Sequence, residues 1–444
     1  MSVASDLAAA MPATRADLER LVRIPSIAFP GFPEAPVREA AGATAEILAS
    51  AGLPGVKLID VPGGPPAVYG EVPAPPGAPT VLLYAHYDVQ PAGPEEAWES
   101  PPWEPTERGG RLYGRGTADD KSGIAMHAAV LRAFGGRPPV GLKVMIEGEE
   151  ETGRGTLEAF VARNPELFAA DAIVIADSGN WKIGEPTLTT SLRGLAAVDV
   201  EVETLAGPVH SGVFGGATPD AMIVLARMLA TLHDERGAVA IEGLAGREWD
   251  GRGVDEPEFR GNAGVLDGVE LIGRGSLAER LYTRPSVNAI GIDAPPVEGA
   301  ANAIVPRARA SVSLRLAPSQ DPAHARALLR AHLEAAAPWG ARVTVTESHL
   351  ARGYEARDDG PAFGAALAAM EGAYGKPAVK VGSGGSIPLV TVLASAVPQA
   401  EFLIWGAEDE GAAIHSANER VDLAELERAA LAQALFLERL GAGA

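Results

Sequence analysis

The sequence predicts an α/β fold: a mixed, mostly parallel sheet covered by helices, interrupted by an inserted α+β domain. Three observations predict it. Short apolar runs at Thr80 to Ala85, Leu142 to Ile146 and Asp171 to Ala176 read as strands buried on both faces. Helical segments alternate with these runs, which implies parallel pairing with crossover helices. Near Ser191 the texture changes to strict alternation of apolar and charged residues, the period of a half-exposed strand.

Taken in order, an amphipathic segment covers Arg15 to Val22 and another runs from Val37 to Ala51. The Ala-rich stretch Ser122 to Phe134 supplies a helix between the first two buried strands. Val198, Val200 and Val202 then alternate with Asp199, Glu201 and Glu203. Thr218-Pro219 is expected to open a helix, with Thr as cap and Pro at the first helical position. Ser311 to Leu316 alternates again, Asp321-Pro322 opens a second capped helix, and Val343 to Glu347 is a further alternating strand. This strand-helix-strand-strand-helix-strand order describes an α+β domain with one wet sheet face. The Gly-rich segment Gly237 to Arg284 reads as loops and short elements inside it. Glu401 to Trp405 returns to the first texture, and Asp422 caps a last helix that stops at Gly441. The expected organisation is residues 1–190 and 354–444 for one domain, with 191–353 inserted.

Composition narrows the function. The net charge of -21 argues against nucleic acid and against an anionic membrane surface. With no cysteine, thiolate metal sites and a Cys nucleophile are excluded, so any metal rests on His and carboxylates. The N-terminus lacks a basic segment followed by an apolar core, and no apolar run approaches the roughly 18 residues needed to span a bilayer. A cytoplasmic protein is expected.

Five places carry chemistry. Each buried strand ends in His or acidic residues, and ligands of open α/β sheets lie beyond the carboxyl ends of strands. In Tyr84-Ala85-His86-Tyr87-Asp88, His86 can bind a metal while Asp88 fixes its tautomer. In Gly114-Arg115-Gly116-Thr117-Ala118-Asp119-Asp120, Asp120 reads as a helix cap. Asp119 either shares that task or bridges two metals with its two oxygens. The run Glu147-Gly148-Glu149-Glu150-Glu151 is self-repelling. It is either a solvated acidic turn or one whose repulsion bound cations relieve, one Glu ligating while its neighbour serves as base. Asp177 ends the third apolar run, and His415 lies in Ile414-His415-Ser416-Ala417-Asn418-Glu419. His127, His233, His324 and His332 sit in helical, Ala-rich surroundings and require no function.

The segments YAHYDVQP, GRGTADDKSG, EGEEETG, IADSGNW and IHSANE, in this order, closely resemble the di-zinc aminoacylase/carnosinase family of metallopeptidases. That family also includes acetylornithine deacetylase and succinyl-diaminopimelate desuccinylase. The resemblance spans His86 to Glu419 and implies a zinc-peptidase fold with an inserted lid or dimerisation domain. It implies His86 and Asp177 on one metal, Glu151 and His415 on the other, Asp119 bridging, and Glu150 as general base for a water shared by the two ions. Zn2+ is the expected ion; Mn2+ and Co2+ suit the same donors. Asp88 would orient His86. His210, in the segment HSGVFGG, would polarise the scissile carbonyl. The loop GSGGSIP, with Gly385 and Ser386, and either Arg307 or Arg309 would hold the substrate carboxylate. HSGVFGG, EGEEETG, GGSIP and the stretch Leu281 to Asn288 favour the carnosinase-type dipeptidases, so the expected substrate is a small peptide and the expected assembly a homodimer. An N-acyl amino acid deacylase or desuccinylase is the alternative.

Overall fold

The computed structural model describes residues 2–385 and 387–443. The chain divides into two compact units, one of Met1–Thr190, Ala356–Val381 and Pro388–Ala444 and one of Ser191–Glu355 and Gly382–Ile387. The segment Gly382–Ile387, assigned by the sequence to the flanking domain, thus groups with the insert.

In the first unit the strands run in the order Lys57–Ile59, Ala67–Val72, Gly141–Glu147, Thr80–His86, Ala172–Ile175, Glu401–Ile404, Thr187–Leu192. The middle four are mutually parallel. Antiparallel strands flank them on both sides. The parallel strands are the continuous apolar runs, because both faces are covered. Val81, Leu83 and Ala85 enter a core with helices Val3–Val22, Glu34–Ser50, Lys121–Ala133, Pro361–Tyr374 and Leu423–Ala442. Leu82 and Tyr84, on the opposite face, are equally buried. Asp120 caps Lys121–Ala133 by accepting from the Gly123 amide at 3.2 Å. Asp422 caps the last helix, which ends at Ala442.

The second unit holds a four-stranded antiparallel sheet ordered Ser286–Asp293, Arg307–Leu316, Gly194–Glu203, Arg342–Ala351. Val198, Val200 and Val202 bury against helices Ala221–Ala230 and Pro322–Ala335, while Asp199, Glu201 and Glu203 face outward. One expectation fails locally. The first helix is capped by Asp220, which accepts from the Ile223 amide at 3.2 Å, not by Thr218. A second Asp220 oxygen accepts from the Val305 amide, so tertiary pairing selects the carboxylate over the hydroxyl. The Gly-rich segment contains the short helices Glu256–Asn262 and Leu277–Tyr282 and an isolated bridge at Val239. Among the described residues, no helix is long and apolar enough to cross a membrane.

Candidate metal centre

The site of the first unit forms where its parallel strands end. His86 is the last residue of Thr80–His86 and is fully buried. Its Nδ1 lies 3.1 Å from the Asp88 carbonyl oxygen and 3.3 Å from Asp88 Oδ1. With Nδ1 turned to Asp88, Nε2 faces the cluster, 3.0 Å from Asp119 Oδ1. The buried Asp88 carboxylate also accepts from the amides of Glu150 at 3.1 Å and Glu151 at 3.2 Å. One side chain therefore fixes both the His86 ring and the turn carrying the two glutamates.

Asp119 offers one oxygen to each histidine: Oδ1 to His86 and Oδ2 to His415 Nε2, both at 3.0 Å. Its loop is held by the buried Glu419. Glu419 accepts from the amides of Gly116, Ala118 and Asp119 and pairs with Arg115 at 2.5 Å. His415 Nε2 also lies 3.1 Å from Glu151 Oε2. Its φ of +59° lies in the left-handed region, as do those of Ala413 and Asn418. Such backbone costs about 1–3 kcal/mol per residue and persists where surrounding structure imposes it. Glu151 is steadied by the Gln90 amide and side chain at 3.1 and 2.7 Å.

The four glutamates of the acidic run part company. Glu147 accepts from the Tyr84 hydroxyl, and Glu149 from the Thr156 hydroxyl. Glu150 and Glu151 turn into the cluster. Two donor sets result, His86 with Glu150 and Asp177, and Asp119 with Glu151 and His415; within each set one ligand atom per residue lies within 4.8 Å of the others. A third set, Asp119 with Asp177 and Glu408, meets the same criterion.

The electrostatics are those of carboxylates short of counter-charge. Burial and the Asp177 charge hold the Glu150 carboxyl well above its ordinary range. Burial and Asp119 push Asp177 up to about 7. Burial disfavours a charged Asp119, but hydrogen bonds from His415 and His86 outweigh it and lower its pKa. Burial likewise opposes a charged His86, yet Asp119 and Asp88 hold it well above the ordinary imidazole value. His415 is pushed up to about 10 by hydrogen bonds with Asp119 and Glu151. Imidazoles and carboxylates that converge this closely, with no thiolate among them, suit divalent metal ions.

His210, Arg307 and Gly385 belong to the second unit. His210 is exposed, and its Nδ1 accepts from the Gly212 amide at 3.1 Å. Arg307 pairs with Glu203 at 2.6 Å, and Arg309 with Asp199. The Gly385 amide donates to Ser383 Oγ at 3.1 Å. Ser386 lies outside the described residues. Sequence reasoning missed Glu408, Gln90 and the anchoring role of Glu419. Glu408 follows the apolar strand Glu401–Ile404, the same signature that marked His86 and Asp177.

Fold and site together define a peptidase: residues 82–439 match the Peptidase family M20/M25/M40, and the chain belongs to that family. It is 43% identical over 371 residues to the cysteinylglycine-S-conjugate dipeptidase of Corynebacterium striatum, covering 82% of each chain. It is 27% identical to the Cys-Gly metallodipeptidase DUG1 of Saccharomyces cerevisiae, covering 95% of this chain and 94% of that one. Its fold is similar to that of human carnosine dipeptidase 1, with a TM-score of 0.83 at 24% identity over 99% of this chain and 98% of that one.

Proposed function

We propose that this enzyme is a metal-dependent dipeptidase that hydrolyses the amide bond of small peptides, with Glu150 as general base. The observation that carries the reading is the convergence of His86, Asp119, Glu150, Glu151, Asp177 and His415 at the ends of parallel strands. His86 and Asp177 would hold one ion, Glu151 and His415 the other, and Asp119 both; Zn2+ is the first candidate. Two divalent ions there supply Lewis acidity, acidifying water and polarising the scissile carbonyl. Glu150, half-buried beside Asp177 with its basicity raised, takes a proton from the attacking water and returns it to the leaving amine. Asp88 keeps His86 Nε2 and the Glu150 turn aimed at the same point. His210 would polarise the carbonyl, and Arg307 with the Gly385 and Ser386 loop would bind the substrate carboxylate. The relatives named for dipeptide hydrolysis support the substrate class. The reading includes a cytoplasmic homodimer. The edge strand Ser286–Asp293, with Ile290 and Ile292 exposed, offers an apolar surface for pairing.

A panel of dipeptides and N-acyl amino acids tests the substrate class. Dipeptides, Cys-Gly among them, are expected to be cleaved at least about tenfold more efficiently in kcat/KM, a difference of about 1.4 kcal/mol in transition-state binding. Preference for acetylated or succinylated amino acids would overturn the assignment.

Metal loading should also depend on pH. His415, pushed up to about 10 in the metal-free protein, is protonated near neutrality, and an ion must displace that proton. Displacing that proton becomes easier as pH rises toward about 10, so affinity is expected to increase from about pH 6 to about pH 8, with a proton released on binding throughout that range. Calorimetry in buffers of different ionisation heat reads both; a pH-independent affinity without proton release would contradict it.

A further inference from the structure

The geometry points to Glu408 as an additional donor of the metal centre, supplying a carboxylate to the ion held by His86 and Asp177. This rests on the metal-centre reading above and extends it to a residue outside that five-ligand set.

Three observations carry the inference. A Glu408 oxygen lies within 4.8 Å of ligand oxygens on both Asp119 and Asp177. Its Oε1 is shut off from solvent and has no hydrogen-bond partner among the described residues. A buried carboxylate oxygen left unpaired is costly, and coordination to a cation would satisfy it. The backbone around Glu408 is also built to bring it there. The Glu408 carbonyl accepts from the Asn180 amide at 2.9 Å, three residues after Asp177. Asn180 is itself anchored to Glu425 at 2.7 Å and to the Tyr374 hydroxyl at 2.9 Å. A Cβ on Gly179 would collide with the Glu408 backbone, and one on Gly406 with the carbonyls of Ala176 and Ser178. Both glycines permit the 406–408 segment to lie against the segment bearing Asp177. The neighbouring Asp409 is spoken for by a two-pronged pair with Arg420 at 2.8 and 2.9 Å, which leaves Glu408 as the acid of this turn directed at the cluster.

Charge and donor chemistry give the residue a purpose. Asp119, Glu151 and Asp177 bring three negative charges to two divalent ions; Glu408 brings the fourth and neutralises the pair. It makes its position richer in carboxylate oxygen than the Glu151–His415 position, which favours harder ions such as Mn2+ relative to Zn2+.

The test is Mn2+ and Zn2+ binding to metal-free wild type and Glu408→Gln, measured by competition with a chromophoric chelator, with circular dichroism confirming the fold. The expected result is a loss of about 10–100-fold in Mn2+ affinity at one of the two positions, with a smaller loss for Zn2+. Unchanged Mn2+ affinity at both positions, or equal loss at both, overturns the proposal. Wild type that binds no ions overturns the metal-centre reading itself. Should the variant not fold, a crystal structure of the Mn2+-loaded wild type decides. A Glu408 oxygen about 2.0–2.2 Å from an ion supports the role; one outside coordination distance overturns it.

Discussion

Glu150→Gln is expected to lower kcat by about 10²–10⁴-fold, the usual worth of a positioned general base, while two metal ions per chain are retained. The substitution preserves shape and removes only the capacity to take a proton. The Glu150 amide, not its side chain, joins the turn to Asp88, so the fold of the loop should survive. Geometry alone also groups the Glu150 carboxylate with His86 and Asp177 as a potential ligand. The paired readout separates the two roles. Loss of kcat with unchanged metal content identifies a base; parallel loss of an ion identifies a ligand. Full activity would remove Glu150 from the chemistry.

Asp119→Asn should be as severe by a different route. Asp119 presents one oxygen to each histidine, and an amide nitrogen cannot replace either as a metal donor. Affinity for both ions is expected to fall by more than the roughly 10–100-fold typical of an outer partner, taking activity with it. The Asp119 amide stays bound to Glu419 at 3.1 Å, so the loop should hold its course. Chelator competition reads the result. Loss of one ion with weakened binding of the other fits an amide oxygen that still reaches one metal, and unchanged affinity for both would exclude Asp119 as a ligand.

The sequence made the strands, the inserted antiparallel sheet and the placement of His86 and Asp177 at strand ends legible, because period and burial are local signals. It did not show how the acidic run divides. Glu147 pairs with Tyr84 and Glu149 with Thr156 because of a short turn over Glu150–Thr152 that no apolar period encodes. The cap at Asp220 was missed because its second oxygen is claimed by the distant Val305 amide. Glu408, the donor proposed above, is not singled out by the strand-end rule, because Asp409 and Glu410 carry the same charge and only the structure shows that Asp409 is engaged with Arg420.

The central claim is that the clustered imidazoles and carboxylates hold two divalent ions on which hydrolysis depends. It is tested by stripping the enzyme, restoring ions stepwise, and following metal per chain by mass spectrometry alongside dipeptide turnover. Metal-free protein is expected to be inactive and to regain its full rate as the second ion binds. Undiminished turnover by metal-free protein would contradict it.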